Sequence, residues 1–406
     1  MTTTSSQKAK DHLIPKIARN IQWRSLKFQA PDRLGMTKET YGAAIQGAGW
    51  VSTQHVKAYM NNPHTKVVAI SSRKEESAKK LADTYNLKGV KIYKDYNRML
   101  DNPDVDIVSI CTPQHLHAQE VVGAAKAKKH IVIEKPVAIN LEQLKAMRDA
   151  VRKARVKTIV SVIARWNPIV QTIKNLLADD ALGKVYYVET NYQSHITSWW
   201  SGWEWARKRD TGVSSTLVAG IHALDLARWF AETKPNKAAR IVEVFSYAGG
   251  YRKGKKLPPF EYDFKRYTGR TGKGTLATPM EYDGLEIILM KYDNGALGKV
   301  SSNYDVIMPY NFTWEIFGDK GTCKNNRIWS LKYPGQNDWV SIPGIMLDTA
   351  EVAHHSFQDE IDELVDGIIH NKDSPSNLED AVNPHEAALA AIMSQKEGRP
   401  IKLPLI

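Results

Sequence analysis

The chain has 406 residues, of which 42% are hydrophobic and 25% charged, and its formal net charge is +12. This length and composition are typical of a folded protein with two or three domains, and they exclude a mainly disordered, collagen-like or coiled-coil chain. No run of 18 apolar residues predicts a membrane span and no apolar N-terminal segment predicts a secretory signal, so the expected compartment is the cytoplasm.

Cysteine spacing and charge distribution exclude further classes. Cys111 and Cys323 form no CxxC or Cys/His cluster, so neither a disulfide scaffold nor a metal site is expected. Positive charge is concentrated in residues 1–39 and 249–274, whereas a nucleic-acid binder places a basic stripe along its motif. We therefore expect no nucleic-acid partner. The two basic segments fit a solvated tail and a long loop, or an oligomer contact and a lid that attracts an anionic group.

The first half of the chain has an alternating pattern. Residues 1–39 lack periodicity and are predicted to form an N-terminal extension or arm. From Tyr41, short β-branched runs alternate with amphipathic stretches, which predicts βαβ units and a parallel sheet in a Rossmann-type nucleotide-binding domain over residues 40–164. The predicted strands read YGAAIQ, KVVAIS, VKIY, DIVSIC, HIVIE and TIVSVI. The predicted helices cover residues 54–60, 74–85, 116–128 and 141–155, with Asn140 as the cap of the last.

The pattern changes after about residue 165. Strand-like runs separated by turns predict a second, α+β domain over residues 165–406, with a large, mostly antiparallel open sheet. These runs read KVYYVETNYQS, ARIVEVFSY, LEIILMKYD, GALGKVSSNYD and FTWEIFGDKGTC. Helices are predicted over residues 217–231, 355–370 and 384–395, and the final helix and tail are free to pack back on the first domain.

A glycine-rich loop follows the first predicted strand and precedes a helix. It reads GAGWVS over residues 47–52, a GxGxxG pattern with Ser at the third position. Gly47 permits the tight turn, Gly49 lets the backbone approach a pyrophosphate, and the helix N-terminus supplies amide donors. In this βαβ context the loop predicts a dinucleotide site that includes Gly47, Gly49, Trp50 and Val51.

The end of the second strand bears on the choice between NAD and NADP. An NAD site usually has Asp or Glu there for the ribose diol, but this sequence reads SSRK over residues 71–74. Ser72 and Arg73 suit a 2′-phosphate, and Arg73 can also stack on adenine, so the pattern favours NADP. The alternative is that Arg73 is an exposed residue at the start of a helix. Tight retention of the cofactor would instead indicate NAD.

Three later strand ends carry further motifs: CTPQHLH (111–117), EKP (134–136) and RWNP (165–168). With the glycine loop and the C-terminal SxxxGxxIxLP pattern, they resemble the glucose–fructose oxidoreductase / inositol dehydrogenase / MocA family from about Tyr41 onward. The resemblance implies cofactor contacts for Thr112, Pro113, His117, Glu134, Lys135 and Arg165. It also implies that Lys135 and Arg165 reach the substrate.

Lys135 is the first candidate catalytic residue. It follows a strand at the edge of the sheet where open α/β proteins bind ligands. A partly desolvated lysine beside an oxidised nicotinamide has a lowered pKa and can exchange a proton with a substrate hydroxyl. The alternative is a surface lysine in a turn.

The helix predicted over residues 217–231 supplies the second candidate, His222. Its segment reads VAGIHALDL and resembles the family's catalytic helix, whose histidine removes the alcohol proton. The family pattern often has Asp four residues before this histidine, where this chain has Val218. Asp225 shares the helix face and is a candidate substrate contact, or a structural residue buried against the first domain.

An aromatic segment lies between the first long strand and that helix. It reads HITSWWSGWEW over residues 195–205, and its four tryptophans fit a loop over a sugar pocket, or a core or oligomer interface. The predicted substrate contacts here are Tyr192, His195 and Trp200.

These observations predict NAD(P)-dependent oxidation of a secondary hydroxyl of a sugar, polyol or glycoside. Lys135 and His222 act in catalysis and no metal takes part. One alternative is redox-neutral glycoside cleavage through a keto intermediate with retained NAD. Another is a non-catalytic sugar or nucleotide sensor on the same fold. The expected partners are a small carbohydrate or polyol and a second copy of the chain, because an open sheet needs cover; a homodimer or homotetramer is predicted, with no membrane or nucleic-acid partner.

Overall fold

In a computed structural model of the chain, the described residues are 38–194, 204–232, 237–251, 253–255, 260–261, 273–274, 279–306, 308, 310–344 and 355–406. Lys38–Ile406 forms one compact unit. No helix in the described ranges is long and apolar enough to cross a bilayer.

Six parallel strands form the first sheet in the order β3-β2-β1-β4-β5-β6, which confirms the predicted Rossmann-type sheet. The strands are β1 (Tyr41–Gln46), β2 (Thr65–Ser71), β3 (Lys91–Tyr93), β4 (Ile107–Ile110), β5 (His130–Ile133) and β6 (Thr158–Val160). The helices between them are α1 (Ser52–Asn61), α2 (Glu75–Thr84), α3 (Tyr96–Leu100), α4 (His117–Lys126) and α5 (Leu141–Ala154). Asn140 caps α5 as predicted, because its side chain accepts a 2.8 Å hydrogen bond from the Gln143 amide.

Nine strands form the second sheet, in the order β16-β15-β14-β13-β7-β12-β11-β8-β17. Every neighbouring pair in it is antiparallel except β12 with β7, so the predicted mostly antiparallel sheet is confirmed. These strands are β7 (Val185–Gln193), β8 (Ile241–Gly249), β11 (Leu285–Tyr292), β12 (Leu297–Asn303), β13 (Asn311–Gly318), β14 (Gly321–Lys324), β15 (Arg327–Ser330), β16 (Val340–Ser341) and β17 (Ile401–Lys402). A separate two-stranded ribbon pairs β9 (Phe260–Glu261) with β10 (Lys273–Gly274).

Five helices follow the first sheet in the chain: α6 (Pro168–Ala178), α7 (Glu204–Arg207), α8 (Ile221–Phe230), α9 (Phe357–Ile369) and α10 (Leu378–Glu397). Helix α9 packs on α1, whereas α8 and α10 cover one face of the second sheet. Helix α8 packs on β7 and β12, and α10 packs on β8 while also contacting α5 and β6 of the first sheet. Side chains on the opposite face, such as Tyr247 and Leu289, are exposed.

Helices α3, α6 and α7 were not predicted, and α10 begins earlier than predicted. Helix α6 was not predicted, although Asn167 and Pro168 are a capping signal: the Asn167 side chain accepts from the Ile169 amide at 3.0 Å. The final helix begins at Leu378, not at Pro384, because Asn377 caps it and the proline is tolerated inside it. Proline has no N–H to bond the Asp380 carbonyl, and Arg228 donates to that oxygen at 3.3 Å instead.

Candidate active site

A cavity of about 260 Å³ lies between the carboxyl ends of the parallel strands and the second sheet with α8. The cavity lining includes Gly49, Trp50, Val51, Thr112, Pro113, Glu134, Lys135, Tyr192 and His222 from the predicted set. The structure therefore brings the glycine loop, the EKP segment and the second-domain histidine to one place. Gly47, Ser72, Arg73, His117, Arg165 and Asp225 do not line it.

The glycine loop has the geometry that a dinucleotide requires. Gly47 has φ +93°, a conformation that disfavours side chains, and its amide donates to the Ser71 carbonyl at 2.8 Å. A Cβ at Gly49 would meet no atom within 4 Å, so the space in front of the loop is open. Ser52 is buried and its hydroxyl donates to the Gly49 carbonyl at 2.6 Å, which fits a small residue at the third position. The loop thus fits a pyrophosphate at the start of α1.

Ser72 and Arg73 lie at the end of β2, one strand away from the glycine loop. Ser72 is half-buried and its amide donates to the Tyr93 carbonyl at 3.1 Å, whereas Arg73 is exposed. No carboxylate occupies the end of β2, where residues 71–74 read SSRK.

Lys135 follows β5 and reaches across to the second domain. Its Nζ donates to the Val218 carbonyl at 3.2 Å. Burial lowers the pKa of Lys135, and the nearby Glu134 carboxylate partly opposes that shift. The lysine is therefore poised to exchange a proton with a group in the cavity.

His222 lies in the first turn of α8, directly after a π-helical turn over Thr216–Gly220. It is 7% exposed, and its Nδ1 has no hydrogen-bond partner among the described residues. Burial, followed by the charges of Lys135 and His355, lowers the pKa of His222 well below its usual value. A neutral imidazole with an unpartnered buried nitrogen is suited to accept a proton from a ligand hydroxyl.

A series of hydrogen-bonded, buried side chains fixes the position of Glu134. The Glu134 Oε2 atom accepts from the Lys135 amide at 3.2 Å, and its Oε1 lies 3.1 Å from Nε2 of His55. His55 Nδ1 lies 3.1 Å from the Ser109 hydroxyl, which lies 2.8 Å from the Tyr59 hydroxyl. The His55 tautomer with its hydrogen on Nε2 donates to Glu134 and accepts from Ser109, which in turn accepts from Tyr59. His55 was not singled out from the sequence, because its partners Ser109 and Glu134 lie 54 and 79 residues away along the chain.

His117 is buried and joins two loops of the site without lining the cavity. Its ring nitrogens lie 2.8 Å from the Thr112 carbonyl and 2.9 Å from the Pro136 carbonyl. Burial lowers the pKa of His117. His117 therefore ties together the two loops that border the cavity, and its direct cofactor contact stays a prediction.

Arg165 and Asp225 form a buried ion-pair cluster and do not line the cavity; their cofactor and substrate contacts stay predictions. Arg165 Nε donates to Asp225 at 2.6 Å, and the same guanidinium reaches Asp380 at 2.7 Å and the Pro375 carbonyl at 3.0 Å. It also stacks over the Trp229 ring at 4.4 Å. Protein groups thus accept the hydrogen bonds of the Arg165 guanidinium. Asp225 is buried against Arg165, as expected if its role is structural.

Two predicted substrate contacts, His195 and Trp200, lie outside the described residues, as do most of the basic segments 1–39 and 249–274.

Several lining residues were not predicted from the sequence. They include Gln114, Ile163, Tyr310, Phe312 and His355. Phe312 pairs with Tyr192 across β13 and β7, a neighbour relation that only the sheet register reveals. His355 precedes α9 without any motif, so no local signal marks it.

Comparisons with known proteins agree with this geometry. Residues 41–162 match the sequence model of the Gfo/Idh/MocA oxidoreductase family, NAD-binding Rossmann fold. Residues 174–403 match the C-terminal alpha/beta domain of the same family. Together the two matches span most of the chain.

Among curated relatives, an uncharacterised oxidoreductase, YrbE, of Bacillus subtilis is 27% identical and aligns over 91% of this chain and 98% of its own length. Levoglucosan dehydrogenase of Pseudarthrobacter phenanthrenivorans is 29% identical over 57% of this chain and 58% of its own. A solved structure of levoglucosan dehydrogenase in complex with NADH superposes with a TM-score of 0.74 at 20% identity, covering 90% of this chain and 100% of that one. At this identity the superposition shows a shared fold.

Proposed function

The chain belongs to the Gfo/Idh/MocA family, as the sequence resemblance predicted, and is a dehydrogenase acting on CH–OH groups; we propose that it oxidises a secondary hydroxyl of a sugar, polyol or glycoside. One observation carries this proposal: Lys135 and His222 line one cavity, and the buried Nδ1 of His222 has no partner among the described residues. Named relatives such as levoglucosan dehydrogenase and myo-inositol 2-dehydrogenase support the substrate class.

The side chains divide the work as follows. The substrate hydroxyl binds between His222 and Lys135; His222 accepts its proton, and Lys135 stabilises the negative charge that develops on the oxygen. The open loop at Gly49 and the start of α1 hold the dinucleotide. When bound, the nicotinamide cofactor supplies the hydride acceptor. His55 Nε2 lies 3.1 Å from Glu134 Oε1 and holds this side chain next to Lys135.

We propose NADP as the preferred dinucleotide. The exposed Arg73 and the Ser72 hydroxyl lie at the end of β2, and no carboxylate is there to accept a ribose diol. The structure of levoglucosan dehydrogenase in complex with NADH makes NAD the competing assignment.

Val218 keeps redox-neutral glycoside cleavage as a second candidate. It lines the cavity where the family pattern often has a carboxylate, which removes the group that would support a simple His–Asp proton transfer. Denaturing the purified protein and identifying any released nucleotide by mass spectrometry separates the two reactions. A dissociable cofactor supports the dehydrogenase, whereas one molecule of NAD retained per chain supports the redox-neutral cycle.

We also propose that the open face of the second sheet is a contact between copies of the chain. Tyr247 is 68% exposed and Leu289 is 48% exposed, and they lie on the adjacent strands β8 and β11. Light scattering of the wild type and of Tyr247→Asp/Leu289→Asp tests this, since a monomeric wild type would contradict it. The cytoplasmic location expected from the sequence stays a prediction.

The function itself is tested by dinucleotide reduction with a panel of sugars, polyols and glycosides. Wild type should reduce NADP or NAD with at least one of them, and His222→Asn should bind the dinucleotide normally but turn over at least about 100-fold more slowly. An active His222→Asn enzyme, or dinucleotide binding with no turnover on any secondary alcohol, would contradict the proposal.

A further inference from the structure

The second-domain side of the cavity is an apolar wall, which we define as Tyr192, Val218, Ala219, Tyr310 and Phe312. The Tyr192 ring lies 5.3 Å from that of Tyr310 and 5.7 Å from that of Phe312, with T-shaped geometry in both pairs. The rings are fixed by the sheet, because Tyr192 and Phe312 are paired across β7 and β13. The wall is therefore a rigid aromatic surface.

The apolar wall lies next to the catalytic groups. The backbone carbonyl of Val218 accepts the hydrogen bond from Lys135 Nζ, and His222 follows Val218 by one helical turn. The side chain of Val218 therefore lines the cavity beside the two groups proposed to bind the reacting hydroxyl.

Several hydroxyl-binding groups in the described part of the cavity are already engaged, although Oε1 of Gln114 and Nδ1 of His222 have no hydrogen-bond partner among the described residues. Glu134 is the one carboxylate among the described lining residues, and its oxygens face His55 and the Lys135 amide. The Gln114 amide nitrogen donates to the Thr211 carbonyl at 2.7 Å and to the Gly212 carbonyl at 3.0 Å.

Two lining hydroxyls are engaged in the same way. The Thr112 hydroxyl donates to Glu120, and the Ser161 hydroxyl donates to Glu360 at 2.7 Å. A substrate hydroxyl turned toward such a surface is buried without a partner, which weakens binding about five- to hundredfold.

We propose that the substrate is a glycoside with an aromatic aglycone, and that the aglycone lies on the apolar wall. This inference rests on the proposed dehydrogenase function and names the substrate class of the same site. An aromatic ring gains stacking and burial against Tyr192, Tyr310 and Phe312, whereas a free sugar would place a hydroxyl there. Val218, at the position of the family carboxylate, extends the wall toward the reacting carbon.

Phenyl and methyl β-D-glucoside form a matched pair of probes, because they share the sugar and differ in the aglycone alone. We measure kcat and KM for both and for free glucose, by dinucleotide reduction. Wild type should prefer the phenyl glucoside by about ten- to fiftyfold in kcat/KM, mainly through KM, from the larger apolar area that the ring buries.

Matched variants locate the preference. Val218→Asp should reduce the phenyl/methyl ratio at least fivefold, whereas Val218→Leu, which keeps the wall apolar, should retain it. Val340→Asp is the control for the chemical change itself, since Val340 is 45% exposed on β16 and does not line the cavity; it should leave the ratio unchanged.

Each outcome decides the inference. A high ratio that falls in Val218→Asp alone supports it. Equal use of the two glucosides, preference for methyl glucoside or glucose, or a ratio that Val218→Asp leaves unchanged overturns it while the dehydrogenase function stands. Dinucleotide binding without turnover on these probes or on the wider panel overturns both.

Discussion

The buried cluster of Arg165, Asp225, Arg228 and Asp380 gives a prediction that separates a structural role from substrate binding. The side chains of Arg165 and Asp225 are 3% and 2% exposed, and two arginines balance two carboxylates. Asp225→Asn removes one negative charge and leaves a net positive charge in the interior. At a charge separation of about 4 Å and an effective dielectric constant of about 20, the lost attraction is about 4 kcal/mol, within the 3–5 kcal/mol typical of breaking a buried pair.

Urea unfolding measures this loss, with an exposed ion pair as the control. Arg152 and Glu379 form a bidentate pair at 2.6 and 2.7 Å, but their side chains are 56% and 53% exposed. Glu379→Gln should therefore cost about 1 kcal/mol or less, while Asp225→Asn costs about 4 kcal/mol. The double variant Arg165→Met/Asp225→Leu should recover most of the stability, because it removes both charges together.

The refuting result is specific. Asp225→Asn could lower the urea midpoint no more than Glu379→Gln does and instead raise KM for the substrate. In that case Asp225 contacts the substrate and the structural assignment is wrong. The folded Asp225→Asn protein should otherwise keep normal dinucleotide affinity, since the glycine loop lies elsewhere.

Three further predictions follow from the site. Gly49→Asp should abolish dinucleotide binding in calorimetry without unfolding the protein, because the carboxylate enters the open space at the loop and repels a pyrophosphate; unchanged affinity would contradict the site. Arg73→Ala should weaken NADP binding at least tenfold more than NAD binding, and equal losses would reduce Arg73 to stacking or structure. His55→Leu should move the alkaline limb of kcat to lower pH, because Glu134 opposes the burial effect on Lys135 and loosening Glu134 lowers the pKa of Lys135 further; an unmoved limb would contradict the link.

The acid stability of the same cluster has a definite sign. Burial by itself raises the pKa of Asp380, but Arg228 and Arg165 outweigh it and lower the pKa to about 2. The contribution of Asp380 to stability is therefore complete above the unfolded pKa of about 4 and is lost as pH falls from about 4 toward 2. Urea midpoints of wild type between pH 5 and pH 3 should fall more steeply than those of Arg165→Met/Asp225→Leu, and parallel curves would contradict this.

Sequence patterns within a few residues of one another predicted the strands and the tight turn of the first domain, because these depend on the conformational preferences of neighbouring residues. β-branched runs and amphipathic stretches gave the six parallel strands, and the glycine at residue 47 gave the turn with φ +93°. Lys135 and His222 were found because each follows a recognisable motif. Their convergence on one cavity is a property of the fold that the family resemblance supplied.

Long-range pairing could not be predicted in the same way. Arg165 and Asp225 are separated by 60 residues, and whether an arginine at a strand end meets a ligand or a buried carboxylate depends on how two domains pack. His55 and Glu134 are 79 residues apart, and neither spacing nor composition joins them. The start of α10 was predicted at Pro384, six residues too late. Arg228 on α8 bonds the Asp380 carbonyl that the proline leaves without an N–H partner, and this contact is not visible in the local sequence.

Single-turnover reduction of bound dinucleotide by Lys135→Ala, His222→Ala and the double variant tests the central claim most directly. Each single change should slow the reaction about 100-fold or more with dinucleotide affinity preserved, and the double variant should be little slower than the worse single one, because both groups serve one proton transfer. Burial lowers the pKa of His222 well below its usual value of about 6.5, so wild type should stay active at pH 6.5 and lose activity only at lower pH, as His222 is protonated. A His222→Ala enzyme that turns over at a near-normal rate would contradict the account.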